Sequence, residues 1–118
     1  MKHSDITIYH NARCSNSRGA LELLRSKGLD PVIIDYIKEP LNAAQLTALV
    51  ARLGVPVRDV MRSKEAIYAE LGLADPTRTD AELIAAMVTH PVLLNRPIVV
   101  TPKGARLCRS PERVLELL

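Results

Sequence analysis

Cys14 is one of two cysteines in a chain of 118 residues. It stands in the stretch Tyr9-His10-Asn11-Ala12-Arg13-Cys14-Ser15-Asn16-Ser17-Arg18, between an alternating apolar run and a helix-patterned one. A free thiol with a pKa near 8.5 is only about 3% ionised at neutral pH. Bringing that pKa down to about 6.5 takes ~2.7 kcal/mol of preferential stabilisation of the thiolate. The amino end of a helix supplies such stabilisation through its free N–H groups and its dipole. Arg13 and Arg18 add positive charge close by in sequence. This setting favours a nucleophile at Cys14 over a small residue packed at a turn. The spacing Cys14-Ser15-Asn16-Ser17 is C-x-x-S. Ser17 stands where a C-x-x-C turn would hold a resolving thiol, so no disulfide closes inside this loop. Ser17 is either a hydrogen-bond donor to the thiolate or a bound anion, or plain helix-start chemistry.

Arg62, Arg96 and Arg109 are the other candidates, in "VMRSKE", "NRPIVV" and "LCRSPE". Guanidiniums bind tetrahedral oxyanions in bidentate fashion, and three converging on a thiolate would form an oxyanion pocket. His10 is either a cation that tunes Cys14 or a polar residue at a strand end. Cys108 reads as a small buried apolar residue. The three histidines have no ligand spacing with the cysteines, so no metal site is expected.

These residues need elements to hold them. Residues 5–9 alternate as a strand, and Ser15 to Lys27 is helical, with Ala20, Leu21 and Leu24 on one face and Gly28 as its stop. "PVIIDY" (31–36) is a second strand, parallel to the first because a helix connects them. Asn42 and Gln45 form a capping box before Leu46, Leu49, Val50 and Leu53. A shorter helix is expected over 63–73. Another capping box, Thr79 to Glu82, precedes Leu83, Ile84, Met87 and Val88. "RPIVV" (96–100) and "ARLC" (105–108) are strands joined by a tight turn at "TPKG" (101–104). Ser110 and Pro111 open a last helix. The order β-α-β, three helices, β-β-α predicts an α/β thioredoxin/glutaredoxin-like fold: a four-stranded mixed sheet flanked by helices. The chain reads as a single domain, 1–118, with a helical insertion at about 39–95 between the βαβ and ββα halves. Proteins of this fold carry a cis-proline facing the nucleophile, and Pro97 stands at that place beside Arg96.

Composition narrows the function classes. Hydrophobic residues are 47% and charged residues 25%, with no Phe or Trp, so an aliphatic core is expected. The net charge of +3 comes without a basic block, and three tyrosines are the only aromatics. Nucleic-acid binding is therefore not expected. No apolar run suits a signal peptide or a membrane span, which predicts a cytoplasmic protein with reduced thiols.

The segments "YHNARCSNSRGALELL", "VMRSKEAIYAELGL" and "HPVLLNRPIVVTPKGARLCRSPE" resemble the glutaredoxin-coupled arsenate reductase (ArsC) family over residues 6–118. The resemblance implies a nucleophilic Cys14, an oxyanion-binding trio of Arg62, Arg96 and Arg109, and supporting roles for His10, Ser17 and the cis-proline Pro97. It implies arsenate or a similar oxyanion as substrate, glutathione as co-substrate, glutaredoxin as partner, a role in arsenic resistance, no bound cofactor and a monomer. The loop departs from the family's N-P-x-C-G-T-S at Ala12, Ser15 and Asn16. Two other readings stay open: a thiol adaptor or reductase acting on another oxyanion or on glutathionylated partners, and a redox-linked transcription regulator. Ser17 counts against the regulator, which would need a C-x-x-C switch.

Overall fold

The computed structural model describes residues 5–108 and 110–118. Backbone contacts divide the chain into two compact units, Met1–Glu39 with Arg96–Leu118, and Pro40–Asn95.

The first unit is built on a four-stranded sheet. Strand β1 (Thr7–His10) leads into helix α1 (Ser15–Ser26), then β2 (Val32–Asp35). Strands β3 (Ile98–Thr101) and β4 (Gly104–Leu107) form a hairpin, followed by a 3-10 segment, Pro111–Leu117. The sheet order is β2-β1-β3-β4. β1 and β2 are parallel, with Ile8 opposite Ile33, as the α1 crossover between them requires. β3 runs antiparallel to both β1 and β4, with Val99 opposite Ile8 and Arg106. This mixed sheet with its flanking helices is the thioredoxin-like arrangement expected from the order of elements.

The core of this unit is aliphatic: Ile6, Ile8, Ala20, Leu21, Leu24, Val99, Cys108, Val114 and Leu117 are buried together. α1 contributes Ser17, Ala20, Leu21 and Leu24, one stripe at helical spacing. Each fully buried leucine contributes roughly 2 kcal/mol from apolar burial. α1 ends in a Schellman motif: Leu29 N–H donates to the Leu24 carbonyl and Gly28 N–H to that of Arg25. Gly28 supplies the left-handed residue this needs, at φ +76°. α1 lies so close to the 3-10 segment that a Cβ on Gly19 would fall 2.8 Å from Pro111 Cγ.

The second unit is helical. α2 (Ala43–Leu53) and α4 (Asp80–Thr89) start with the two capping boxes read in the sequence. Asn42 Oδ1 accepts from Gln45 N–H at 2.8 Å, and Gln45 returns the bond at 3.0 Å. Between them lie a 3-10 turn, Val57–Val60, and a short α3 (Ala66–Glu70); Pro91–Leu93 adds a further turn after α4. α2 buries Leu46, Leu49, Val50 and Leu53; α4 buries Leu83, Ile84 and Met87.

Two elements differ from the sequence reading. The helix expected over 63–73 is only Ala66–Glu70, because Gly72 turns left-handed (φ +63°) and arginines take the carbonyls a longer helix would use. Arg58 Nη1 donates to Leu73 O at 2.6 Å and Arg78 Nη2 to Leu71 O at 2.9 Å. The last helix is 3-10 rather than α. The Ser110 hydroxyl donates to the Glu112 carboxylate instead of capping, and Arg113 N–H bonds the Ser110 carbonyl three residues back.

Candidate functional site

The chain leaves β1 at His10 and enters α1 at Ser15, and the loop between is pinned by one residue. Asn11 N–H donates to Ser17 Oγ at 3.3 Å. Its carbonyl accepts from Cys14 N–H at 2.9 Å, and its Oδ1 accepts from Arg13 N–H at 3.0 Å. Arg18 Nη1 closes the outer side by donating to the Ala12 carbonyl at 2.7 Å. Cys14 thus becomes the N-cap of α1, with extended backbone (φ −93°, ψ 124°) and a half-buried thiol.

The cap position sets the chemistry of the sulfur. Partial burial pushes the Cys14 thiol up, since a thiolate is poorly solvated there. The backbone N–H of Ser17, the Arg96 guanidinium and the N–H of Asn16 together outweigh burial, and the net position is below the ordinary cysteine value. These N–H groups aim at the sulfur without completing a full capping hydrogen bond. The sulfur is therefore biased toward thiolate and faces a guanidinium. That pairing suits attack on an electrophilic centre that carries anionic oxygens.

Arg96 comes from the segment before β3, and the Arg96–Pro97 peptide is cis, the geometry expected for Pro97. Arg96 also influences a residue the sequence reading passed over. Tyr36, at the exit of β2, is 1% exposed, and burial holds its phenol above the ordinary value against the opposing influence of Arg96 and the Asn11 side chain. The signal available for Tyr36 was its position: it ends the strand parallel to β1, at the same sheet edge from which Asn11 departs. That was not enough to separate it from an ordinary core tyrosine.

The remaining candidates fall out as follows. Ser17 is fully buried, and its hydroxyl accepts from Asn11 while its N–H points at Cys14; it holds the loop shut. His10 is buried beside Asp35, and burial holds its imidazole below the ordinary value despite that carboxylate. The leading influences on the Cys14 thiol are burial, Ser17, Arg96 and Asn16, with His10, Arg13 and Arg18 not among them. Arg62 lies in the helical unit, next to the Met61–Leu94 bridge, with its Nε 3.1 Å from Glu65 Oε1 and its N–H donating to Leu93 O at 2.7 Å. Arg109 lies outside the described residues. Cys108 is fully buried, as its sequence setting suggested, and burial pushes its thiol up to about 12. Among the described residues no group of histidine, cysteine and carboxylate side chains could hold a metal ion. No helix among them is long and apolar enough to cross a membrane.

Comparison with known proteins agrees with this geometry. An arsenate reductase of Rhizobium meliloti (strain 1021) is 49% identical over 113 residues, 96% of this chain and 81% of that protein. An arsenate reductase of Escherichia coli (strain K12) is 50% identical over 115 residues, 98% of this chain and 82% of the other. The solved structure of an arsenate reductase from Vibrio cholerae superposes with a TM-score of 0.94 at 44% identity, covering 100% of this chain and 98% of that one. Residues 9–117 match the ArsC family, and a match of that extent, carried by the loop, the cis-proline and the sheet described above, makes this chain a member of the ArsC family.

Proposed function

We propose that this protein reduces arsenate to arsenite, with the Cys14 thiolate as nucleophile and glutathione and glutaredoxin as reductants. The observation that carries the proposal is the Cys14 sulfur held between the α1 amino end and the Arg96 guanidinium. The names of its close relatives supply the oxyanion.

The steps follow from the groups present. The Cys14 sulfur attacks arsenic, an arsenic–oxygen bond breaks, and that oxygen leaves as water after protonation. Arg96 and the N–H groups of Asn16 and Ser17 bear the negative charge around the sulfur and the incoming oxyanion. Arg62 and Arg109 enter the proposal as further oxyanion ligands on the strength of the sequence motifs alone. Reducing arsenic from the +5 to the +3 state needs two electrons, and the chain has no thiol placed to give them. Ser17 occupies the resolving position, and Cys108 is fully buried with its thiol pushed up to about 12. The electrons therefore come from outside. A glutathione thiolate displaces a second oxygen as water and bonds arsenic. A glutaredoxin thiolate then attacks the glutathione sulfur. The sulfur–arsenic electron pair stays on arsenic, and glutathione departs as a mixed disulfide with glutaredoxin. Hydrolysis releases arsenite and restores the Cys14 thiolate.

The test is arsenate-dependent NADPH oxidation with glutathione, glutaredoxin and glutathione reductase present. Turnover by the wild-type chain that vanishes in Cys14→Ser is the expected result. Absence of turnover, with Cys14 still exchanging readily with glutathione disulfide, would overturn arsenate as substrate and leave the thiol-exchange reading.

A further inference from the structure

We infer that the outer edge of β2 is an interface between two copies of this chain, joined antiparallel about Ile33 into one continuous sheet. β2 ends the sheet, and among the described residues no strand lies beyond it. Its first two residues are open on both faces of the strand: Val32 is 43% exposed and Ile33 41%, with Ile37 close behind at 39%. Edge strands ordinarily carry charge that keeps other chains away. β4, at the opposite edge, does so through Arg106, which pairs with Glu116 at 3.4 Å. The run Val32-Ile33-Ile34 is β-branched throughout and carries no charge.

The backbone fixes which groups face outward, and those groups select the occupant. Val32 N–H donates to the Ile6 carbonyl at 2.8 Å, so the Pro31 carbonyl of the same trans peptide unit points away from the sheet. In the parallel ladder with β1, Val32 and Ile34 turn their backbone groups inward, and Ile33 and Asp35 turn theirs outward. The outward row has two gaps. Pro31 has no N–H. The Asp35 carbonyl is already taken by the N–H groups of Lys38 and Glu39, at 3.1 and 2.8 Å. A second β2, related by a two-fold axis through Ile33, sets each gap against the other. Ile33 N–H then donates to the second copy's Ile33 carbonyl, and Asp35 N–H to its Pro31 carbonyl, both in each direction. Sliding the register by two residues one way leaves an Ile33 carbonyl facing Pro31 without a donor. Sliding it the other way aims an Ile33 N–H at the occupied Asp35 carbonyl. In the symmetric register Val32 lies opposite Ile34 on one face, and Ile33 opposite its own copy on the other, all aliphatic pairs. The row runs only from Pro31 to Asp35, short of the roughly 800 Å² per partner of a standard interface, so the pair forms at protein concentrations near ~0.1 mM. The monomer implied by the family resemblance is then the dilute state.

The test needs no arsenate and does not depend on the proposed reaction. Sedimentation velocity is run on the wild-type chain and on Ile33→Lys from about 0.01 to about 1 mM. The wild type should pass from monomer to dimer over that range. Ile33→Lys sets like charges against each other at the two-fold axis and should weaken dimerisation about tenfold or more. Its far-ultraviolet circular dichroism should match the wild type, because the side chain it replaces is exposed. Register is read separately, in the Cys14→Ser background, where the remaining Cys108 is buried. There Ile33→Cys should close an intermolecular disulfide readily with oxidised glutathione, since the facing Cα atoms lie about 5.5 Å apart. Val32→Cys puts its two Cα atoms beyond the ~7 Å a disulfide can bridge, and should cross-link about tenfold more slowly or worse. A wild-type chain that stays monomeric to the top of the range would overturn the inference. So would a dimer that persists unweakened in Ile33→Lys, or equal cross-linking at the two cysteine positions.

Discussion

Replacing Gly19 by alanine sets two effects of similar size against each other, and the structure decides which wins. In the middle of a helix, glycine to alanine ordinarily stabilises by roughly 0.5–1 kcal/mol, since alanine restricts the unfolded chain and favours the helix. Gly19, however, faces the closing 3-10 segment, and a Cβ there would lie 2.8 Å from Pro111 Cγ and 3.5 Å from Pro111 Cβ. The first distance is far inside van der Waals contact, and the second is ordinary contact. Relieving the first means moving the proline or the helix, and overpacking of this kind costs typically about 1–3 kcal/mol. The expected net effect is a loss of about 1 kcal/mol. Only the Cγ is at fault, so Pro111→Ala, which keeps a Cβ and removes the Cγ, should abolish the clash. In that background Gly19→Ala should stabilise, by roughly 0.5–1 kcal/mol. The prediction is therefore a change of sign between backgrounds. Urea denaturation followed by far-ultraviolet circular dichroism measures it, since the chain has no tryptophan to report. Stabilisation by Gly19→Ala in the wild-type background, or the same effect in both, would refute the close approach of α1 to the 3-10 segment.

Arg96→Ala should raise the KM for arsenate by about 10-fold or more, the loss of a charge-assisted hydrogen bond at a partly buried site. The same variant should shift Cys14 alkylation to higher pH, because the guanidinium favours the thiolate; arsenate kinetics equal to the wild type would sink its role at the oxyanion. Cys108 predicts an alkaline weakness. Its folded value of about 12 lies above the ordinary 9.0, so the stability it contributes is complete below about 9 and declines as pH rises toward 12. The slope approaches about 1.4 kcal/mol per pH unit, because the unfolded chain ionises there and the folded one does not. Cys108→Ala should lose some stability at neutral pH to the smaller side chain but show a flatter decline between pH 9 and 11. Parallel declines in the two proteins would show that Cys108 does not titrate on unfolding.

Much of the architecture was legible because it is local. The capping boxes at Asn42 and Thr79 are hydrogen bonds between residues three apart, and they form as read. The α1 stripe of Ala20, Leu21 and Leu24 follows from helical spacing alone. The 63–73 helix was overestimated for the complementary reason. Arg58 and Arg78 reach carbonyls at Leu71 to Leu73 from elsewhere in the chain, and no local pattern announces it.

The candidate site divides along the same line. The sequence determined that a lone cysteine caps a helix after a strand and that a serine replaces a resolving thiol, since each is a matter of neighbours along the chain, while the cis bond at Pro97 was expected from the likeness of the fold and is found in the structure. Only the tertiary structure decided which cations matter to the thiol. Arg13 and Arg18 flank Cys14 in sequence, yet Arg18 is spent on the Ala12 carbonyl and neither is among the leading influences on the thiol, whereas Arg96, which is, comes from the segment before β3, some eighty residues on. The burial of Tyr36 and the three hydrogen bonds that pin the loop on Asn11 were likewise invisible in the order of residues. Hydrogen bonds and charge effects act over a few ångströms of space, and nothing in the order of residues fixes which distant groups fall within that range.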